Sequence, residues 1–369
     1  MKIVLISPKN RTVYNFRGDL ILGLIKDGHE VIVTGPDSEN VDRIKQLGAR
    51  FFEIPMQKNG MNPFADLKYA WALYRLFKQE KPDMTFGYTV KPVVYGAIAA
   101  KSARVRHKVS MVTGLGYVFT AKSMKAKLLR TIVSVLYRVG FGCADTVIFQ
   151  NADDRRQLTD MHLLKDTKCA TVNGSGVDMQ RFSVANLPQR ITFFMLSRLL
   201  KSKGVVEYLK ACEIVKQRYP QARFTLLGKY ETAMQDAVDK DCVESLIEKG
   251  ILERYDETHD VRPYYADCSV YVLPSYREGT PRTVLEAMAM GRPIITTDVP
   301  GCCETVVNGE NGYLVPVKDA QALADAMIHF IEHPEQIAIM GAKSVEYCRE
   351  KFDVIKVNEC MRRYLKVEV

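Results

Sequence analysis

The chain has 369 residues, 47% hydrophobic and 26% charged, longer than one core usually supports and too apolar for disorder, so two domains, each under about 200 residues, are expected. The opening Met-Lys-Ile-Val-Leu-Ile-Ser-Pro holds too short an apolar run for a signal peptide, and no stretch reaches the about 18 apolar residues of a membrane span. A cytoplasmic protein with only peripheral membrane contact is therefore expected. The formal charge of +9 is local: between Asp83 and Asp145 there is no acidic residue, while Lys91, Lys101, Arg104, Arg106, Lys108, Lys122, Lys125, Lys127, Arg130 and Arg138 all fall there.

In chain order, Lys2 to Ile6 reads as a buried strand, Phe16 to Lys26 as an amphipathic helix ending at Gly28, and Glu30 to Thr34 as a second strand. A helix near Asp37 to Leu47, a strand at Arg50 to Ile54, a helix from Pro63 to Gln79 and a strand at Met84 to Phe86 continue the alternation. Such spacing means right-handed βαβ units and a parallel sheet. A polar, turn-rich passage from Asn173 to Pro188 marks a domain boundary. The alternation then restarts with a strand at Ile191 to Leu196, a helix from Val205 to Arg218, strands at Arg223 to Leu227 and Ser269 to Leu273, a helix from Pro281 to Met290 and a strand at Pro293 to Thr296. The predicted architecture is α/β, two doubly wound parallel-sheet domains over 1–180 and 190–348, with a C-terminal helix over 349–369 packing back on the first.

Ligands of open parallel sheets bind beyond the carboxyl ends of the strands, which directs attention to two segments. Pro274-Ser-Tyr-Arg-Glu-Gly-Thr-Pro leaves a strand, turns at Gly279 and enters a helix with Thr280 as predicted N-cap and Pro281 as first helical residue. A helix N-terminus there suits a diphosphate. Glu278 and Glu286 repel phosphate, so they suit sugar hydroxyls; equally, Glu278 can complement the helix dipole and Glu286 can be surface decoration. Leu196-Ser-Arg-Leu-Leu-Lys-Ser-Lys-Gly places Arg198 and Lys203 in a turn before a helix, where two cations would neutralise a departing diphosphate or form a solvated basic loop.

Glu278-x7-Glu286 followed by Ala-Met-Ala-x-Gly-x-Pro, together with Arg198-x4-Lys203-Gly, resembles the family-4 type of retaining GT-B glycosyltransferases, whose fold is two facing Rossmann-like domains. In the first half, Tyr14-Asn-Phe-Arg17, Tyr88-Thr-Val-Lys91-Pro-Val-Val-Tyr-Gly96, Thr113-Gly-Leu-Gly-Tyr-Val-Phe119 and Gly174-Ser-Gly-Val-Asp178 are similar to bacterial transferases that extend undecaprenyl-diphosphate-linked sugars, including N-acetylgalactosaminyltransferases, for surface polysaccharide or glycoprotein glycans. The resemblance implies a UDP-sugar donor in the second domain and a polyprenyl-diphosphate-linked saccharide acceptor in the first. By it, Arg198, Lys203 and Glu278 are catalytic; those three with Gly279, Thr280 and Glu286 bind the nucleotide sugar; Arg17, Lys91, Thr113, Gly114 and Gly116 line an acceptor or sugar pocket. It implies no metal and no cofactor. Relatives often carry a pocket histidine where only His107 is near, and an arginine where Cys303 precedes Glu304.

Other signals weigh less. Asp239-Lys240-Asp241 has the form of a metal-binding D-x-D but lies in a helix-like stretch. The nine cysteines are scattered without C-x-x-C spacing and read as reduced core thiols; Cys302-Cys303 is the one adjacent pair, and neighbouring cysteines rarely bridge. Met124 to Arg138 is apolar and cationic on a helical repeat, which fits an interfacial helix on an anionic leaflet within a basic 101–138 segment, or a buried helix with snorkelling lysines. Nucleic acid is not expected, since no reading motif or stacking platform is present. A GT-B-shaped epimerase or phosphorylase, or a non-catalytic nucleotide-sugar sensor, is the alternative; a sensor would have no use for Glu278.

Overall fold

The structure is a computed structural model, and it describes residues 1–57, 62–116, 119, 124–232, 234 and 236–367. It divides into two compact units, Met1–Ser175 with Val357–Val369, and Gly176–Lys356.

The first unit runs β1 (Lys2–Ile6), α1 (Asn10–Lys26), β2 (Glu30–Gly35), α2 (Val41–Gln46), β3 (Arg50–Glu53), α3 (Pro63–Glu80), β4 (Met84–Tyr88), a π turn (Pro92–Gly96) leading into α4 (Ala97–Ser102), β5 (His107–Val112), α5 (Met124–Cys143), β6 (Thr146–Phe149), α6 (Ala152–Asp160) and β7 (Cys169–Thr171). Its sheet is parallel, in the order β3-β2-β1-β4-β5-β6-β7. Alternate residues of each strand face opposite layers. Ile3 and Leu5 pack with α1 and with Met361, Leu365 and Val367, while Val4 and Ile6 pack with α3 and α4; Val147 and Phe149 of β6 pack with Tyr137 and Phe141 of α5. Thus α3, α4 and α5 share one layer. Helix α1 starts six residues before Phe16, because Asn10 is anchored by tertiary bonds that no local pattern reveals: its Nδ2 donates to the carbonyls of Asp37 and Glu39, both at 2.8 Å.

The second unit runs β8 (Thr192–Leu196), α7 (Val205–Arg218), β9 (Arg223–Leu227), α8 (Lys240–Glu248), β10 (Glu253–Tyr255), α9 (Arg262–Ala266), β11 (Val270–Leu273), α10 (Arg282–Ala289), β12 (Ile294–Thr297), β13 (Gly312–Val315), α11 (Ala320–Glu332), α12 (Glu335–Lys351) and the start of α13 (Val354–Leu365). Its parallel sheet has the order β10-β9-β8-β11-β12-β13. The division falls before the expected 180–190 passage because Val177 already donates to the Phe352 carbonyl and Phe182 is buried in the second core. Likewise the chain rejoins the first unit at Val357 rather than 349, since Cys348 and Phe352 belong to the second core. Arg292 is fully buried in this unit and donates to the carbonyls of Tyr265, Ala185, Asn186 and Ala266, fastening the turn after α10 to two neighbouring segments.

Candidate functional site

In both sheets the order reverses at one point, between β1 and β4 in the first unit and between β8 and β11 in the second. Loops leaving adjacent strands diverge there and open a crevice at the carboxyl edge. In the second unit the two loops are those singled out in the sequence. Lys203 follows β8 and Glu278 follows β11, and they meet: Lys203 Nζ lies 2.5 Å from Glu278 Oε1. Ser275 Oγ donates to the same carboxylate oxygen at 2.8 Å and to the Ser202 carbonyl at 3.2 Å.

Backbone bonds hold this meeting. Tyr276 N donates to the Ser202 carbonyl and Glu278 N to that of Pro300, at 2.9 and 3.1 Å. Gly204, directly after Lys203, has φ +74, and a Cβ there would stand 2.0 Å from the Pro274 carbonyl oxygen; only glycine lets the two loops approach so closely. Tyr276 OH donates to Glu207 of α7 at 2.8 Å, and Ser202 Oγ donates to Asp236. None of Ser202, Ser275 and Asp236 was assigned a role from sequence, although Ser275 stands three residues before Glu278 at a strand end, a readable signal for a hydroxyl that orients a carboxylate.

Arg198 is not part of that cluster. Its guanidinium reaches Glu231 at 4.0 Å and Met234 Sδ at 3.6 Å, with the side chain 46% exposed. Gly279 is buried and Thr280 half-buried in the turn before α10. The cap differs from expectation: Pro281 is the N-cap and Arg282 the first helical residue, because Pro281 has an extended ψ of 105° while its carbonyl accepts from Val284 and Leu285. Thr280 lies one residue further out.

Glu286 is no surface decoration. Its side chain is 13% exposed, with Oε1 3.2 Å from Arg282 Nε and Oε2 accepting from Tyr265 OH at 3.1 Å. Burial raises its pKa above the ordinary 4.5, and the Arg282 charge opposes that rise. Arg282 in turn donates to the Gly176 carbonyl.

In the first unit the named residues gather along the carboxyl edge of β1, β4 and β5 but are tied inward. Arg17 is buried, its NH2 2.9 Å from Met111 Sδ and its guanidinium over the rings of Tyr88 and Phe86 at 5.4 and 6.0 Å. Tyr88 OH bonds Ser7 Oγ at 2.6 Å and Thr12 Oγ1 at 3.1 Å. Lys91 Nζ pairs with Asp66 at 2.6 Å, and Tyr95 OH donates to the other Asp66 oxygen at 3.1 Å. Thr113, Gly114 and Gly116 follow β5, both glycines at positive φ, and the loop is held by Leu115 N donating to the buried Asp154 at 3.2 Å, a residue the sequence did not single out. Tyr117, Val118 and Lys122, and the side chain of Lys125, lie outside the described residues. His107 opens β5, at the amino edge and away from this crevice.

Asp239 is the N-cap of α8, accepting from Asp241 N at 3.1 Å, so its carboxylate has a structural use. Among the described residues no cluster of His, Cys, Asp or Glu is arranged to hold a metal. Cys302 and Cys303 are not joined in a disulfide, and burial pushes the Cys302 thiol up to about 12, helped by the Glu278 charge.

A model for a glycosyl transferase 4-like domain matches residues 15–173, and one for glycosyl transferases group 1 matches residues 177–346. The N,N'-diacetylbacillosaminyl-diphospho-undecaprenol alpha-1,3-N-acetylgalactosaminyltransferase of Campylobacter jejuni is 26% identical, covering 100% of this chain and 98% of that one. The capsular polysaccharide biosynthesis glycosyltransferase CapM of Staphylococcus aureus is 25% identical over 94% of this chain and 92% of its own. Among solved structures, sucrose-phosphate synthase from Thermosynechococcus elongatus superposes with a TM-score of 0.84 at 19% identity, covering 100% and 98% of the two chains. HepE of Anabaena, in complex with UDP and glucose, gives 0.81 at 18% over the whole of both. These two likenesses are of fold.

Proposed function

The chain belongs to the GT-B glycosyltransferases that join a 4-like domain to a group 1 domain, and from that premise we propose that it moves a sugar from a UDP-sugar to an undecaprenyl-diphosphate-linked saccharide during surface polysaccharide or glycoprotein glycan assembly. The sugar is a hexose or N-acetylhexosamine, GalNAc first, and its anomeric configuration is retained. The first and second relatives' names support the acceptor class and the polysaccharide setting. The observation that carries the chemistry is the Lys203–Glu278 pair at the β8/β11 crevice.

In this proposal the donor diphosphate displaces Glu278 from Lys203 and takes the ammonium as its own counter-charge, joined by Arg198 and the amides at the start of α10. Glu278, still held by Ser275, then accepts a hydroxyl of the donor sugar, and Glu286 accepts the ribose hydroxyls. The acceptor hydroxyl attacks on the face from which the diphosphate leaves, and a diphosphate oxygen takes its proton. No metal or cofactor is invoked. Acceptor binding belongs to the first unit, near Arg17, Lys91, Thr113, Gly114 and Gly116. Among the described residues no helix is long and apolar enough to cross a membrane, and in this proposal the lipid-linked acceptor is met by peripheral contact with the cytoplasmic leaflet. Helix α5 supports that contact: Tyr137 and Phe141 are buried while Met124, Leu128, Val135 and Val139 are exposed on the other side beside Lys127 and Arg138.

The test is nucleotide release from a panel of UDP-, GDP- and ADP-sugars with a short-chain polyprenyl-diphosphate-sugar acceptor. Acceptor-dependent release from one UDP-sugar, lost in Glu278→Ala and Arg198→Ala, is the expected result; UDP binding without release from any donor would sink it. NMR of the product's anomeric proton checks retention.

A further inference from the structure

Trp71 is the single tryptophan of the chain, and it stands on the outside of α3, 58% exposed, with Phe64 at 83% and Leu67 at 64%. Positions 64, 67 and 71 recur at helical spacing and share one face. The opposite face, with Tyr69, Leu73 and Phe77, is the one that packs on the sheet. Three large apolar side chains grouped in water give up the burial that apolar surface favours, and such groups mark interaction surfaces.

Charge says what covers them. The exposed charged residues of α3 are Lys68, Arg75 and Lys78, and the Arg75 guanidinium lies 4.8 Å from the centre of the Trp71 ring. The helix's acidic side chains are turned away and neutralised: Asp66 pairs with Lys91, and Glu80 with Lys2 and Arg50. An aromatic and aliphatic face on a helix whose exposed charges are all cations matches an anionic headgroup boundary, where rings settle at headgroup depth and cations meet phosphate. A second copy of the chain fits poorly, since a two-fold contact would set Lys68, Arg75 and Lys78 against their own counterparts.

We infer that α3 is a membrane-docking element in its own right, inserting Phe64, Leu67 and Trp71 into an anionic leaflet with Lys68, Arg75 and Lys78 on its phosphates. This rests on the proposed lipid-linked acceptor and adds a second anchor to α5. The two helices lie in the same layer of the first unit, both against the π turn and α4, so both apolar faces belong to one side of that unit. Stable attachment to a leaflet needs more than one weak signal, and two helices also fix which way the unit looks.

Trp71 is its own reporter. The full chain is mixed with vesicles of phosphatidylglycerol and phosphatidylethanolamine, or of phosphatidylcholine alone. The expected result is a blue shift of Trp71 emission, quenched by acyl-brominated lipid, on the anionic vesicles only. Phe64→Ser/Leu67→Ser keeps the reporter and should lower vesicle partition by about tenfold or more, while transfer to a water-soluble short-chain acceptor stays unchanged and shows that the variant is folded. Vesicle binding with unaltered Trp71 emission overturns the inference and leaves α5 as the anchor. Absence of binding to anionic vesicles overturns both anchors, while soluble transfer would still stand. A lipid-free emission shift that grows with protein concentration, with dimers in sedimentation, assigns the face to a second copy and overturns it too.

Discussion

At the crevice of the second unit, Lys203 and Glu278 come from loops after two neighbouring strands and remain 23% and 14% exposed; in the first unit the corresponding cations bind helices to the body of the domain. Lys91 joins β4's exit loop to Asp66 of α3, the side chains 12% and 9% exposed, and Arg17 lays its guanidinium on rings of the sheet. In the proposed reaction the first arrangement exchanges an internal carboxylate for a phosphate. The second cannot do so, because removing either partner strands a desolvated charge. Location at a sheet's carboxyl edge thus nominates a residue for function, and its internal partners decide whether its charge is available.

The largest effect expected is on turnover. Lys203→Ala and Glu278→Ala should each lower kcat/KM by about 10²–10³, the range for losing one preorganised charged contact to the transition state, with the double variant well short of the product of the two. Steady-state kinetics with wild-type unfolding midpoints checks this; additive losses would mean that the two contacts to the donor are independent. Lys91→Met should instead act on stability, about 3 kcal/mol by chemical denaturation, with Asp66→Leu/Lys91→Met regaining most of it. Loss of acceptor turnover in Lys91→Met at unchanged stability would instead make Lys91 a ligand group.

Two glycines, one in each unit, differ in what surrounds them. Gly204→Ala drives a Cβ into the Pro274 carbonyl and should cost more than about 2 kcal/mol, moving Lys203 as it does. Gly116 also has positive φ, 67°, but among the described residues nothing lies within 4 Å of its would-be Cβ, so Gly116→Ala should cost only about 1–2 kcal/mol of backbone strain. Thermal unfolding of the pair separates collision from conformation.

The smallest effect is a pH dependence. A carboxyl whose folded pKa is raised holds its proton longer in the folded state than in the unfolded chain, so its contribution to stability is greatest at low pH. That contribution is lost as pH climbs from about 4.5 through the raised value of Glu286. Glu286→Gln should remove this slope, flattening the curve of unfolding free energy against pH above 4.5, while weakening UDP binding in titration calorimetry.

The strands and helices named between Lys2 and Phe86 and between Ile191 and Thr296 were legible because they depend on local apolar periodicity, and the motifs of the second unit were legible because Gly204, Glu278 and Glu286 sit at fixed distances from strand ends. What escaped depends on partners distant in sequence. Asn10 begins α1 through carbonyls near residue 38, and Asp154 holds Leu115 across 39 positions. Arg292 hides within Gly-Arg-Pro as an apparent surface cation but is fully buried among carbonyls. Lys91 reads as a pocket cation until Asp66, itself an ordinary polar position of a helix, appears beside it. Pro281 shows the limit at a boundary: proline suits both N-cap and first-turn positions, and ψ alone distinguishes them.

The chain's return to its first unit orders the synthesis of the molecule. Met361, Leu365 and Val367 lie in the same core as Ile3, Leu5 and Leu20, and Arg362 pairs with Asp27 of the α1 cap at 3.1 Å. A ribosome therefore delivers the whole second unit before the first has received the residues that close one of its two layers. The second unit can mature while the first waits with that layer open, and removal of residues 357–369 should leave the later-made half folded and the earlier-made half unable to finish.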